Sequence, residues 1–212
     1  MNKEYAGITG VPEFTAAAAK LAYGADSPAL DRIAITQSIS GTGALRIGAT
    51  FLQRFYSGDK KIFIPNPSWA NHKAIFTDAG LKVSQYRYYK KETNGFDFEG
   101  MIEDLKSAPM GSVFLFHACA HNPTGIDPTE QQWKEIVSVA QKQGHYAFLD
   151  MAYQGFASGD LEADNFALRM FMDAGMMPML AQSFAKNMVS HQPLIGISSI
   201  PFQFKFPKEL QH

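Results

Sequence analysis

A chain of 212 residues with 46% hydrophobic and 13% aromatic side chains is long and apolar enough to bury a core, which excludes a disordered chain. Its formal net charge of −1, with Lys and Arg scattered along the chain, excludes an electrostatic nucleic-acid surface. Its single cysteine, Cys119, excludes an intrachain disulfide framework and suits a reducing compartment, and no apolar run approaches the ~20 residues that span a bilayer.

Apolar periodicity switches repeatedly between helix and strand along the chain. "EFTAAAAKLAYG" reads as an Ala-rich helix closed by Gly24, followed by a short β-branched strand in "RIAITQS". "GTGALRIGATFLQRFYSG" opens with glycines and continues as an amphipathic helix. "KIFIP" is a strand stopped by Pro65, and "ANHKAIFTDAG" a helix with Gly80 past its end. The strand "LKVSQYRYY", the helix "FDFEGMIEDLKSA" and the buried strand "SVFLFHA" follow. In "DPTEQQWKEIVSVAQKQG", Asp127 and Pro128 are placed as N-cap and first helical residue, and Gly144 ends the helix. Then come the strand "HYAFLD", a single helix over "DLEADNFALRMFMDAG" and the strand "MPMLAQS". Strands alternating with helices predict an α/β fold: a mainly parallel sheet with helices on both faces, three layers in αβα order. No repeat or low-complexity linker interrupts it.

Ligands of such sheets bind beyond the carboxyl ends of the strands. Ser40 to Thr42, Asn122, Asp150 with Tyr153, and Ser183 with Lys186 all fall there. Ser40, Gly41, Thr42 and Gly43 sit between a strand and a helix, where free N–H groups and the helix dipole favour a phosphate. Glycine-rich turns of this kind also serve tight packing alone. The run matches neither G-x-x-x-x-G-K-[ST] nor G-x-G-x-x-G, its third glycine coming too late for the latter.

Lys186 follows a strand end with Ser183 on the same turn. Such a lysine is ordinarily solvated, but it is also the residue that would form a Schiff base with a carbonyl cofactor such as pyridoxal phosphate. That cofactor needs a carboxylate against its pyridine nitrogen. Asp150, ending the apolar "YAFLD", asks for a cationic partner, although a capping Asp is the ordinary alternative. Trp69 suits either a core position or stacking on a planar ligand. His117, Cys119 and His121 alternate, so on a strand they would share one face as zinc ligands do. With small alanines between them, an apolar strand before them and no fourth ligand evident, a buried face is the better reading, and no metal is assigned.

Together these segments resemble the aspartate aminotransferases, within the class I, fold type I pyridoxal-phosphate enzymes. The resemblance rests on "KEYAGITGVPEF", "GADSPAL", "SGTGALRIGA", "PSWANH", "HACAHNPTG", "DMAYQGFASGD" and "QSFAKNM", in family order from about Tyr5 to Met188. It implies that Lys186 is the Schiff-base and proton-shuttling lysine and Asp150 the pyridinium partner, with His72 behind it. Tyr153 and Asn122 become donors to the cofactor's phenolic oxygen, and Trp69 stacks on the ring. Trp69 and Asn122 are also placed toward the substrate. Ser40, Gly41, Thr42 and Ser183 become phosphate ligands, and Tyr5 reaches the phosphate of a second subunit. Pro67 and Pro123 are candidates for cis peptide bonds.

The implied activity is transamination between L-aspartate and 2-oxoglutarate, with small-molecule substrates and a homodimer, without nucleic acid or membrane. The expected compartment is cytoplasmic or mitochondrial; "MNKEYAGITG" has the features of neither a signal peptide nor an Arg-rich transit peptide. An aromatic amino-acid aminotransferase shares most of these motifs.

The sequence departs from the family after Met188. The family supplies a phosphate-clamping arginine just beyond its lysine and further arginines for substrate carboxylates, whereas the last arginine here is Arg169. The expectation is therefore a cofactor-binding large domain over residues 1–188 and a divergent tail over 189–212, of the kind that read-through or altered splicing produces. Most of the small domain is expected to be missing. A catalytically silent fragment that binds cofactor or a full-length subunit is the alternative.

Overall fold

The computed structural model describes residues 5–187 and 195–201. Helix α1 (Pro12–Tyr23) opens on a proline at its first position and ends at Gly24, whose φ is 93°. Strand β1 (Ile33–Ile39) runs straight into α2 (Ser40–Phe55), and β2 (Lys61–Asn66), α3 (Asn71–Asp78) and β3 (Lys82–Arg87) follow. A small hairpin, β4 (Tyr89–Lys90) and β5 (Gly95–Phe96), leads to α4 (Phe98–Ser107), which Asp97 caps through the Gly100 N–H. The expected strand "LKVSQYRYY" is thus divided between β3 and β4.

Next come β6 (Val113–His117), α5 (Glu130–Lys142), β7 (Tyr146–Met151), α6 (Leu161–Asp164), α7 (Phe166–Asp173), β8 (Met179–Ser183) and β9 (Ile195–Pro201). The start of α5 differs from expectation. Thr129, with Gln132 three residues on, forms a capping box, while Asp127 accepts bonds from the N–H groups of Ala120 (2.6 Å) and His121 (2.9 Å). Asp127 therefore secures the loop after β6. The single helix expected over residues 160–175 is broken at Asn165, because Asp164 turns inward and the Asn165 amide donates to the Ala22 carbonyl. The tail, in which the sequence reading found no strand, contributes β9; residues 189–194 and 202–212 lie outside the described residues.

The main sheet has the order β1-β9-β8-β7-β6-β2-β3. β3, β2, β6, β7 and β8 pair in parallel, and β9 lies antiparallel to both β8 and β1. Strand side chains alternate between two cores. Phe114, Phe116, Leu149 and Leu180 pack with Trp133 of α5 and Phe171 of α7. On the other face, Ile62, Ile64, Leu115 and Phe148 pack with Leu45 and Leu52 of α2 and Phe76 of α3. The three-layer αβα arrangement expected from the alternation of elements is the one observed. Because β6 and β8 are buried throughout, apolar runs there reflect two covered faces rather than one.

Candidate active site

The carboxyl ends of β1, β6, β7 and β8 converge on a cleft of about 260 Å3. Ser40, Gly41, Thr42, Trp69, Asn122, Asp150, Tyr153, Ser183 and Lys186, expected from sequence, all line it. Tyr5 does not; it is fully exposed.

The first wall is the junction of β1 and α2. Ser40 adopts φ 62°, a left-handed conformation that turns the chain directly from strand into helix. No side chain caps the N-terminus of α2, so its leading N–H groups remain available at the cleft. A methyl group on Gly41 would stand 3.1 Å from the Ser183 Cβ, so the glycine lets the two segments meet. Uncapped N–H groups, the hydroxyl-bearing residues Ser40, Thr42 and Ser183, and a glycine at closest approach have the donor chemistry a phosphate requires.

The floor is a chain of hydrogen bonds from the loop after β6 to the end of β7. The Asn122 N–H donates to His117 Nδ1 (3.1 Å), and His117 Nε2 lies 3.4 Å from Ser68 Oγ. Ser68 Oγ is 2.8 Å from His72 Nδ1, and His72 Nε2 is 2.8 Å from Asp150 Oδ2. One proton arrangement satisfies every link. His117 accepts at Nδ1 and donates from Nε2 to Ser68; the Ser68 hydroxyl donates to His72; and His72 donates from Nε2 to Asp150.

Burial pushes the His117 imidazole down to about 3, so it is neutral near pH 7. Burial by itself would push the Asp150 carboxyl up. The hydrogen bond from His72, with the nearby Lys186 ammonium, outweighs it and holds the carboxyl below its usual range. His72, His117 and Asp150 could approach a metal together, with ligand atoms within 4.8 Å. Their facing atoms are already engaged in this chain, and binding a metal would break it.

Lys186 is exposed at the rim, its Nζ 5.0 Å from the centre of the Tyr153 ring. The Trp69 ring stands edge-on to His72 at 5.2 Å and 89°. Both Asn66–Pro67 and Asn122–Pro123 are cis, as expected. Cys119 and His121 belong to the buried face rather than to a zinc set. Burial pushes the Cys119 thiol up to about 12 and the His121 imidazole down to about 3.

The sequence reading missed two parts of the floor. Ser68 carries no signal beyond its place beside Trp69. His117 was weighed as a metal ligand and read as part of a buried face, although ending β6 beside β7 puts it in register with Asp150.

The architecture is that of the large domain of fold type I aminotransferases. The chain belongs to the family described as aminotransferase class I and II, which matches residues 1–192 and whose members use pyridoxal phosphate. It is 53% identical over 201 residues to the mitochondrial aspartate aminotransferase of Schizosaccharomyces pombe, covering 94% of this chain and 46% of that protein. The cytoplasmic aspartate aminotransferase of Saccharomyces cerevisiae superposes with a TM-score of 0.90 at 45% identity, covering 93% of this chain and 49% of that one. A broad-specificity aminotransferase from Leishmania mexicana gives 0.92 at 44%, covering 97% of this chain and 51% of that one. The chain spans about half the length of the relatives it matches.

Proposed function

We propose that this chain is the cofactor-binding part of an aspartate aminotransferase, exchanging the amino group of L-aspartate with 2-oxoglutarate. The observation that carries the reading is one cleft bounded by an exposed lysine amine, an ionised carboxylate backed by His72, and an uncapped helix N-terminus. These groups suit the carbonyl, the ring nitrogen and the phosphate of pyridoxal phosphate in turn. When bound, that cofactor supplies an electron sink for the Cα–H bond of an amino acid.

The chain's own residues would do the rest. Lys186 would attach the cofactor through Nζ and move a proton to and from the substrate Cα. Asp150, kept ionised by His72, would hold a proton on the pyridine nitrogen. Tyr153 and Asn122 would donate to the phenolic oxygen, Trp69 would cover the ring and orient a substrate carboxylate, and Ser40, Gly41, Thr42 and Ser183 would hold the phosphate. On this reading residues 1–188 form the large domain and 189–212 a segment of divergent sequence, from which β9 is drawn into the sheet. A homodimer, with Tyr5 reaching the neighbouring site, and a cytoplasmic or mitochondrial location complete the proposal.

A second reading, cofactor binding without turnover, is favoured by one observation. No arginine lies between Lys186 and His212 to clamp a phosphate just beyond the lysine, and Arg169 is paired with Glu162 away from the cleft. A lysine does not replace the bidentate fork that suits a carboxylate. The deciding experiment is an absorption spectrum of the chain with pyridoxal phosphate, then borohydride reduction and peptide mapping. Trapped cofactor on Lys186 that is converted by aspartate supports the first reading. Trapped cofactor that aspartate leaves unchanged supports the second, and labelling no greater than that of surface lysines removes both.

A further inference from the structure

Beneath the cleft lies a second set of polar side chains that the proposed chemistry does not use. Gln154 and Gln182 are both only 2% exposed, and Gln182 Nε2 donates to Gln154 Oε1 at 2.9 Å. Gln154 Nε2 donates onward to the Leu161 carbonyl at 3.2 Å, and Asn187 Nδ2 donates to the Gln154 carbonyl at 3.4 Å. Asp164, also buried, accepts from the N–H groups of Gly155 (2.7 Å), Ala157 (3.0 Å) and Ser158 (2.9 Å). Three of these residues adjoin a cleft residue: Gln154 follows Tyr153, Gln182 precedes Ser183, and Asn187 follows Lys186. On β8, neighbouring side chains leave opposite faces, so Gln182 can reach under the sheet while Ser183 faces the cleft.

Buried amides are costly to desolvate and are retained where both partners are met. Here the bonds join two segments far apart in sequence, the loop after β7 and the turn after β8. We propose that the Gln154–Gln182 pair, seated on the Asp164-anchored loop, is a positioning device that fixes Tyr153 relative to Ser183 and Lys186. Asp164 sets the course of the loop, Gln154 ties it to β8, and the Asn187 amide ties in the residue after the lysine. The Lys186 ammonium then keeps its place over the Tyr153 ring. This rests on the reading of Tyr153 and Lys186 given above, but its test does not require a working cofactor site.

The test is the double variant Gln154→Met/Gln182→Met, which keeps side-chain length and removes both amides together, so that neither faces an unmatched partner. Without cofactor, the rate of reductive methylation of Lys186 is measured by mass spectrometry against Lys134, a surface lysine paired with Glu130. The expected result is at least a threefold change in that ratio, with a melting temperature within a few degrees of the parent. An unchanged ratio would overturn the proposal, whatever the chain does with pyridoxal phosphate.

Should the double variant not fold, Gln182→Glu decides. It sets two acceptors together and should change the ratio. A ratio equal to the parent's would likewise sink the idea. With pyridoxal phosphate bound, the variants that change the ratio should also move the pH midpoint of the visible band. Absence of cofactor on Lys186 in the parent chain counts against the proposed function alone, since the methylation ratio still decides here.

Discussion

Gly41 shows how much of this site depends on single atoms. Its missing side chain lets the first turn of α2 approach Ser183, and an added methyl would press on the Ser183 Cβ at 3.1 Å. Gly41→Ala is therefore expected to raise the dissociation constant for pyridoxal phosphate by about tenfold, or ~1.4 kcal/mol, with little change in melting temperature. Equilibrium titration followed by absorbance reads this directly, and an unaltered constant would place the phosphate elsewhere.

Asp150→Asn preserves the shape and a partner for His72 but removes the charge. On the proposed function, the aspartate half-reaction should slow by roughly 10²-fold or more, as when other fixed electrostatic groups are removed from active sites. A rapid-mixing comparison of the two proteins checks it. Asp150 and Lys186 were legible in the sequence because each is a charged residue ending an apolar strand. His117 and Ser68 were not, because their contribution is a hydrogen-bond path that closes only when β6 and β7 lie side by side.

At the scale of elements, the contact between α2 and β7 is a tight test of packing. A methyl on Gly48 would fall 2.4 Å from Phe148 Cζ and 2.9 Å from its Cε1. Gly48→Ala should destabilise the chain by about 1–3 kcal/mol despite alanine's better helix propensity, because α2 must lift off the sheet. Urea unfolding measures it, and a gain in stability would show that the interface yields.

Most elements were readable from their punctuation: glycines after α1, α3 and α5, and clear switches of period between them. The errors came from competition between nearby signals. Asp127 looked like a cap, but Thr129 with Gln132 makes the better one and frees Asp127 to bind two loop N–H groups. β9 was invisible because "IGISSIP" combines glycine, two serines and a proline, a weak strand former that is a strand only when inserted between two others.

For the molecule as a whole, pH reports how the buried imidazoles are housed. Burial pushes both His117 and His121 down to about 3 from an ordinary value of 6.5. Between those limits the unfolded chain binds protons that the folded chain refuses. Their contribution is thus complete above pH 6.5 and is lost as pH falls toward 3. Asp150, whose carboxyl is held low, adds a loss of the same sign further down, as pH falls through and below the usual carboxylate range. Urea midpoints should hold level from pH 7.5 to about 6.5 and decline from there to pH 4, and His117→Asn should flatten the slope. A midpoint constant down to pH 5 would contradict this picture. The parallel character of the sheet was legible because helices alternate with strands, whereas the order of strands was not, since pairing is decided between residues far apart in the chain.

The placement of β9 also sets a timetable. Among the described residues β1 pairs only with β9 in the main sheet, and Thr36 and Ala181 are joined through the backbone of Ser198. Two parts of the cleft, Ser40 and Ser183, far apart in the chain, are therefore brought into the same sheet by a strand that a ribosome makes after both. Until residues 195–201 emerge, β1 has no partner in that sheet among the described residues. Ligand capture by a nascent chain should then begin abruptly once those residues have emerged, and a chain halted at residue 194 should hold every cleft residue yet take up cofactor poorly.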